Sequence, residues 1–116
     1  MFIVEYYEKS NGNRPVEDFI LSLDYKLQAK VSWSINLLEE FGINTRKPYS
    51  EKLDDDIFEL RIIQGNNIAR ILYIFDKIKI ILVNAFIKKT RKTPRKEIIL
   101  AKKRRLLYLS RRRQNG

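Results

Sequence analysis

The chain has 116 residues, of which 24 are Lys or Arg and 14 are Asp or Glu, so its formal net charge is +10. It contains neither cysteine nor histidine, which excludes disulfides, thiol nucleophiles, cysteine zinc sites and every catalytic pair that depends on an imidazole. A hydrophobic content of 44% is typical of a folded chain, and the length predicts a single domain over residues 1–116.

The N-terminal third predicts a strand followed by two helices. Residues 2–7 are β-branched and aromatic and predict the strand, and a polar turn at 10–13 follows it. Pro15 suits the first turn of a helix whose apolar residues recur at i, i+3, i+4 and i+7. Asp24 is placed to cap a second helix, which Gly42 is expected to end. The two helices should therefore form a helical hairpin.

The middle of the chain predicts three strands in a meander. Residues 43–56 are polar and predict a loop, whose aspartate run at 54–56 is expected to be solvated rather than to bind a metal. Strands are predicted over 57–63, 68–75 and 78–86, with tight turns between them. The first of these strands alternates, so one face should meet the helical hairpin and the other should be uncovered and carry charge.

The C-terminal part predicts a basic connector and a basic helix. The connector covers residues 88–93, Pro94 begins the helix, and residues 110–116 are expected to form a flexible basic tail. The order of elements predicts an α+β fold: an antiparallel-rich sheet of about four strands with the N-terminal helical hairpin on one face and the basic C-terminal helix after it.

The positive charge is confined to the end of the chain. Residues 1–86 hold 11 basic and 13 acidic residues, whereas residues 87–116 hold 13 basic residues and only Glu97 as an acid. This asymmetry predicts a polyanion such as nucleic acid as the partner, with strongly salt-dependent binding. A solubilising tail, or an arm for an acidic protein, is the alternative.

No apolar run approaches the roughly 18 residues that a membrane span requires. The opening MFIVEYYEK has neither the basic start nor the apolar core of a signal peptide. We therefore expect a cytoplasmic protein without a membrane partner.

Four segments carry a resemblance to a known family: NGNRPVEDFILSLD (11–24), EKLDDDIFELRI (51–62), NIARILYIF (67–75) and IILVNAFIKKTRKTPRKEI (80–98). FELR and FIKKTRKTP are the most specific parts, because they occur in order and at suitable spacing. Together the segments resemble the HigB-type branch of the RelE/ParE toxin superfamily, the phage-derived HigB-like branch of type II toxin–antitoxin systems.

The resemblance implies a RelE/ParE-like fold and a toxin that cuts messenger RNA in the decoding site of the ribosome. Such endoribonucleases use no metal or other cofactor: the 2′-hydroxyl attacks the neighbouring phosphate and leaves a 2′,3′-cyclic phosphate and a 5′-hydroxyl. A HigA-like helix-turn-helix antitoxin holds them inactive, and operator DNA is bound only through the toxin–antitoxin complex. Two alternatives stay open, a ParE-like toxin that inhibits DNA gyrase and an inactive relative that acts only in operon regulation.

The resemblance also implies the residues of the site. Arg70 matches the family's functional strand arginine, and its guanidinium fork suits the oxygens of a phosphorane. Arg61, Lys88 and Lys89 match further basic positions, and clustered positive charge would lower the pKa of a lysine toward a useful range for proton transfer. These four are the predicted catalytic residues. Contacts to RNA and ribosome are predicted for Lys52, Arg91, Lys92, Arg95, Lys96, Lys102, Lys103, Arg104 and Arg105.

The chain departs from the family pattern at two places. Asn84-Ala85-Phe86 stands where many relatives carry His-Gly-Phe, and Ala69 replaces a tyrosine beside Arg70. An imidazole base is therefore unavailable. Either a lysine carries the proton transfer, or the ribosome positions the RNA and the protein supplies mainly electrostatic stabilisation.

Structural roles are the alternative for several conspicuous residues. Trp33 is predicted to lie in the core, and Thr93, which precedes a proline, to cap the last helix. Arg70 alternatively pairs with an acidic residue across the sheet, Glu59 or Glu5.

Overall fold

The computed structural model describes residues 1–115. Its elements are β1 (Ile3–Tyr6), α1 (Pro15–Leu21), α2 (Tyr25–Phe41), a 3-10 turn (Gly42–Asn44), β2 (Ser50–Asp54), β3 (Ile57–Gln64), β4 (Asn67–Asp76), β5 (Lys79–Ile87) and α3 (Arg95–Asn115). This confirms the α+β class, with a basic helix last in the order. None of the helices within residues 1–115 combines the length and the hydrophobicity that crossing a bilayer requires.

The sheet has five strands in the order β1-β5-β4-β3-β2. It is mixed, because β1 runs parallel to β5, with Ile3 opposite Lys79, while the other pairs are antiparallel. The prediction of about four strands was wrong, since β2 lies within residues 43–56, which were expected to form a loop. β2 has the sequence SEKLD and lies at an edge. It has no apolar alternation of its own, and its pairing with β3 stabilises it.

The helical hairpin covers one face of the sheet, as predicted. The carboxylate of Asp24 caps α2 by accepting a hydrogen bond from the Leu27 N–H at 2.8 Å. At the other end of the helix Gly42 has φ 51°, and a Cβ there would lie 2.0 Å from the Phe2 ring, so only glycine fits. The core between the helices and the sheet is formed by Val16, Leu27, Val31, Leu38, Leu60, Ile62, Ala69, Ile71, Tyr73, Ile80 and Leu82.

The opposite face is only partly uncovered, which corrects the prediction that this face is open. α3 packs over one end of it, and a second core lies beneath the helix. Its buried members are Tyr7, Ile57, Leu72, Ile74, Ile81, Val83 and Ala101. The other end of this face carries the charged side chains of β3 and β4.

Ion pairs with the turn between β2 and β3 help to hold α3. Asp54 lies 2.5 Å from the Lys102 ammonium and 3.8 Å from the Arg95 guanidinium, and Asp56 lies 3.6 Å from Arg105. The aspartate run is therefore a contact surface for α3 and not merely a solvated loop.

A second set of contacts holds the end of the helix. The buried Asp76 accepts a hydrogen bond from the Tyr108 hydroxyl at 2.9 Å and lies 3.2 Å from Arg112. Burial and the neighbouring Asp76 carboxylate raise the pKa of Tyr108 to about 12, so its hydroxyl stays protonated and donates. α3 continues to Asn115, so residues 110–115 are helical in the structure. The flexibility of residues 110–116 stays a prediction.

Candidate functional site

A cleft lined by basic residues lies at the end of the sheet that α3 leaves uncovered. The antiparallel register places Arg61 of β3 opposite Arg70 of β4 and Arg70 opposite Phe86 of β5. Residues directly opposite each other project from the same face, so both guanidinium groups lie on the cleft side. Lys88 directly follows β5, and its N–H donates to the Ile68 carbonyl at 3.0 Å. The basic cleft is thus built on three adjacent strands.

A buried carboxylate organises the floor of this cleft. Glu59 is 1% exposed, and its Oε1 lies 3.5 Å from Nε of Arg70 and 3.5 Å from Nε of Arg61. Its Oε2 accepts a hydrogen bond from the Thr93 hydroxyl. A buried charge needs such partners to offset its lost hydration. Glu59 therefore fixes the two arginines relative to the segment that connects β5 and α3.

Arg70 is the more deeply placed of the two arginines, being 6% exposed. Burial lowers its pKa, Glu59 opposes this shift, and Arg61 adds to it. Nη1 donates to the Ala69 carbonyl at 3.1 Å, whereas the buried Nε has no hydrogen-bond partner in the described part of the chain. This Nε is enclosed and faces the Glu59 carboxylate at 3.5 Å, so it is closed to a ligand in the cleft.

The two lysines predicted for proton transfer differ in their surroundings. Lys88 is half-buried, and partial burial together with the positive charges of Arg70 and Arg61 lowers its pKa, against the opposing effect of Glu59. Among residues 1–115 its ammonium has no ion-pair partner within 4 Å. Lys89 is exposed. Lys88 is therefore the better placed of the two to lose a proton.

The basic cleft consists of two adjoining hollows that share Lys88 and Arg91. The hollow of about 350 Å³ is also lined by Glu51, Lys52, Glu59, Arg61, Lys92 and Thr93. The hollow of about 340 Å³ is also lined by Ile68, Arg70, Lys89 and Thr90. All four residues predicted to be catalytic thus lie together. Glu51 also contacts Arg61, and the pKa of Glu51 is lowered chiefly by Lys47 and further by Arg61.

The residues predicted to contact RNA divide into groups. Those that line the cleft are Lys52, Arg91 and Lys92. Those that are exposed on the outer side of α3 are Lys96 and Lys103. Those that pair with Asp54 or Asp56 are Arg95, Lys102 and Arg105.

Arg104 lies apart from these groups because its side chain turns toward the sheet. Its Nη1 donates to the Val83 carbonyl at 2.8 Å, and its guanidinium lies 5.4 Å from the centre of the Tyr7 ring. Val83 is the extra residue of a bulge, since Leu72 pairs with Asn84 and the next residue of β4 with Leu82. Arg104 thus contributes to the fold, and the structure does not favour its predicted contact with RNA.

The two departures from the family pattern fall outside the cleft. Asn84 is buried, and its Nδ2 donates to the backbone carbonyl and the side chain of Glu97, each at 3.1 Å, which holds the first turn of α3. Ala69 is fully buried on the hairpin side of the sheet. Thr93 was predicted to cap α3, but its hydroxyl donates to Glu59 instead.

Glu59 is the main residue of the site that the sequence prediction did not assign. It was named only as an alternative partner for Arg70. The FELR segment contains a signal for this contact, because Glu59 and Arg61 are two positions apart on a strand and therefore share one face. Within residues 1–115, no group of three or more acidic side chains is arranged to hold a metal ion.

Comparison with known protein families gives a match over most of the chain. A family model described as "Phage derived protein Gp49-like (DUF891)" matches residues 18–106. This range contains the whole basic cleft. No curated protein matches the chain. The family is toxin-like, its toxins are often endoribonucleases, and such toxins in general have an antitoxin partner. Because the family model matches well over half of the chain, this protein belongs to the Gp49-like phage-derived family, which is part of the RelE/HigB-type toxin family.

Proposed function

We propose that this protein is the toxin of a type II toxin–antitoxin pair and that it cuts messenger RNA on the ribosome without using a metal. One observation carries the proposal: Arg61, Arg70 and Lys88 converge around the buried Glu59 in an open basic cleft. Such a cluster suits the three needs of RNA cleavage by an internal 2′-hydroxyl, which are a proton acceptor, stabilisation of the phosphorane and a proton donor.

Lys88 is the proposed proton acceptor. Its lowered pKa increases the fraction of neutral amine at a given pH. The neutral amine takes the proton of the 2′-hydroxyl, whose oxygen then forms a bond to the adjacent phosphorus in line with the 5′-oxygen. This assignment replaces the imidazole that the chain lacks.

The arginines are proposed to stabilise the charge that develops on the phosphorane. A guanidinium donates two parallel hydrogen bonds to two oxygens and remains charged during the reaction. Arg70, which lines the cleft, is the primary candidate, and Arg61 orients the RNA backbone beside it. Glu59 holds both in place, so little reorganisation is needed in the transition state.

The reaction ends when the bond between phosphorus and the 5′-oxygen breaks. The 5′-oxygen takes a proton from the ammonium of Lys89, which lines the same cleft, or from water. The products are a 2′,3′-cyclic phosphate and a 5′-hydroxyl, and no further reactant is consumed. Lys52, Arg91 and Lys92 are proposed to hold the flanking phosphates of the messenger and the ribosomal RNA.

The proposal includes the partners of such toxins. A HigA-like helix-turn-helix antitoxin would hold the toxin inactive in the cytoplasm, and operator DNA would be bound only by the complex of the two. The family to which the chain belongs supports an antitoxin partner in general, and its HigA-like type and the binding of operator DNA are part of the proposal.

The test uses purified protein, programmed ribosomes and a defined messenger, with mapping of the new 5′ ends. We expect cuts within codons in the decoding site, only when ribosomes are present. Arg70→Ala should reduce the rate by about 10²- to 10³-fold, as for the loss of one charge-stabilising donor. Arg14→Ala is the matched control, because Arg14 is exposed near the start of α1 and should leave the rate unchanged.

Two results would contradict the proposal. A folded protein that arrests growth but leaves the messenger intact, with induction of DNA-damage signalling, would point to a ParE-like inhibitor of gyrase. A protein that neither arrests growth nor cuts RNA would be an inactive relative that serves only in operon regulation.

A further inference from the structure

Two aromatic side chains lie exposed and in contact beside the β2 edge of the sheet. Trp33 of α2 is 44% exposed and Tyr49, just before β2, is 40% exposed. Their ring centres are 5.5 Å apart with an angle of 66° between the planes. Trp33 was predicted to lie in the core, and this was wrong, because the buried stripe of α2 runs through Leu27, Val31, Ser34 and Leu38. We call Trp33 and Tyr49 the aromatic pair.

The surroundings of the aromatic pair are basic. The Lys30 ammonium lies 4.3 Å from the centre of the Trp33 ring. Arg46 and Lys47 are exposed in the turn that leads to Tyr49. In the described part of the chain, neither Lys30 nor Arg46 forms an ion pair within 4 Å. Aromatic rings accompanied by unpaired cations are typical of surfaces that bind single-stranded nucleic acid by stacking and by charge.

The aromatic pair adjoins the basic cleft around the β2 edge. The Arg61 N–H donates to the Tyr49 carbonyl at 2.9 Å, so the two residues lie on neighbouring chain segments. Glu51 contacts Arg61 on one side and Lys47, at 3.2 Å, on the other. Lys47 thus lies between the cleft and the aromatic pair.

We propose that the aromatic pair is a stacking site for an unpaired base of the RNA whose neighbouring nucleotides occupy the basic cleft. The inference rests on the proposed function, because it extends the RNA path outside the cleft. The basic surroundings and the continuity with the cleft favour RNA over a protein segment as the occupant. Stacking on an aromatic ring tolerates every base, so the site would add affinity without selecting a sequence.

Trp33 is the only tryptophan of the chain, so its fluorescence reports directly on this site. The full chain is titrated with a short single-stranded RNA that carries 2′-O-methyl groups and resists cleavage, and with the same strand lacking its bases. The two strands carry the same backbone charge. We expect the strand with bases to quench the Trp33 emission and the abasic strand to leave the emission nearly unchanged. An equal response to both strands, or no response to either, would overturn the proposal.

Substitutions that retain Trp33 as the fluorescent reporter make the test more specific. Tyr49→Ala should weaken the affinity for the RNA by roughly 5- to 150-fold, the effect of one stacked ring, and Tyr49→Phe should restore it. Tyr25→Ala is the matched control, since Tyr25 is a 90% exposed tyrosine at the start of the same helix. Equal affinities for the Tyr49→Ala and Tyr25→Ala variants would overturn the proposal.

The outcome for the stacking site can be distinguished from the outcome for the proposed function. Arg70→Ala should reduce the cleavage rate by about 10²- to 10³-fold and keep the quenching. Cleavage by a protein whose Trp33 emission does not respond to RNA would leave the function standing and overturn the stacking site. Quenching without cleavage would support the stacking site alone. A Trp33 emission that responds to a co-expressed antitoxin and not to RNA would make the aromatic pair a protein-docking surface.

Discussion

At the scale of single residues, the basic cleft depends on the charge of Glu59. This carboxylate is 1% exposed and faces two guanidinium groups. Glu59→Gln should lower the free energy of unfolding by about 3 kcal/mol, because Arg70 would stay buried without its counter-charge. Urea unfolding measures the change. Glu17→Gln is the control, since Glu17 forms an exposed pair with Arg14 at 3.9 Å and should change stability by about 0.5 kcal/mol or less. Equal losses of unfolding free energy in the two variants would show that Glu59 does not hold the arginines.

The lowered pKa of Lys88 predicts the pH dependence of cleavage. The proposed acceptor must be neutral, so the single-turnover rate should rise about tenfold per pH unit until the pH passes the pKa of Lys88, which lies below its ordinary 10.5. Lys88→Arg should lose this rise, because a guanidinium stays charged. Lys89→Arg should keep it. Identical pH profiles for the wild type and Lys88→Arg would remove Lys88 from proton transfer.

The side chains that line the basic cleft could be predicted from the sequence, but the contacts between them could not. Arg61, Arg70 and Lys88 stand in recognisable motifs, and each lies where the strand order brings it to the cleft. The contact of Glu59 with Thr93 joins residues 34 positions apart in the chain. It depends on how the connector before α3 folds back over β3, which no local pattern encodes.

At the scale of elements, α3 is held on the sheet by a polar contact at an irregular point of β5. Arg104 donates to the carbonyl of Val83, the residue that lacks a pairing partner in β4. Arg104→Met should therefore lower the free energy of unfolding by about 1.5–3 kcal/mol. Lys103→Met, at an exposed position of the same helix, should stay within about 0.5 kcal/mol of the wild type. Urea unfolding of both variants tests this, and equal effects would show that Arg104 does not anchor α3.

Elements with a local signal were predicted well, and elements that depend on their neighbours were not. Asp24 and Gly42 mark the ends of α2 as expected. β2 was missed because its sequence, SEKLD, has no apolar alternation, and the strand depends on pairing with β3 at the edge of the sheet. The covering of the second face by α3 was missed because the helix buries few apolar side chains there, chiefly Ile98 and Ala101, and uses ion pairs for the rest.

At the scale of the whole molecule, the fold redistributes the positive charge. Residues 87–116 carry a net charge of +12 in the sequence. Acidic side chains of the sheet and its turns lie within 4 Å of several of these cations, namely Arg95, Lys102, Arg105 and Arg112. Arg104 and Arg111 donate to backbone carbonyls instead. Six further cations, near the cleft and on the outer face of α3, have no acidic partner among the described residues. They are Lys88, Lys89, Arg91, Lys92, Lys96 and Lys103.

This distribution predicts the salt dependence of RNA binding. If these six cations each neutralise a phosphate, the logarithm of the association constant should fall with the logarithm of salt concentration with a slope of about −4, since each contact to a single strand contributes about −0.7. Lys92→Gln should make the slope shallower by about 0.7 units, because Lys92 lines the cleft. Titrations of the full chain with uncleavable RNA at several salt concentrations give these slopes.

Lys102→Gln provides the matched comparison for the same titrations. Lys102 lies 2.5 Å from Asp54, so its charge is already neutralised within the fold and it releases no counterion when RNA binds. Its substitution should leave the slope unchanged, although it removes the same formal charge as Lys92→Gln. Equal changes in slope would mean that net charge governs binding rather than its placement. A shallower slope for Lys92→Gln alone would show that RNA binding depends on where the cations lie, because Asp54 already neutralises Lys102 within the fold.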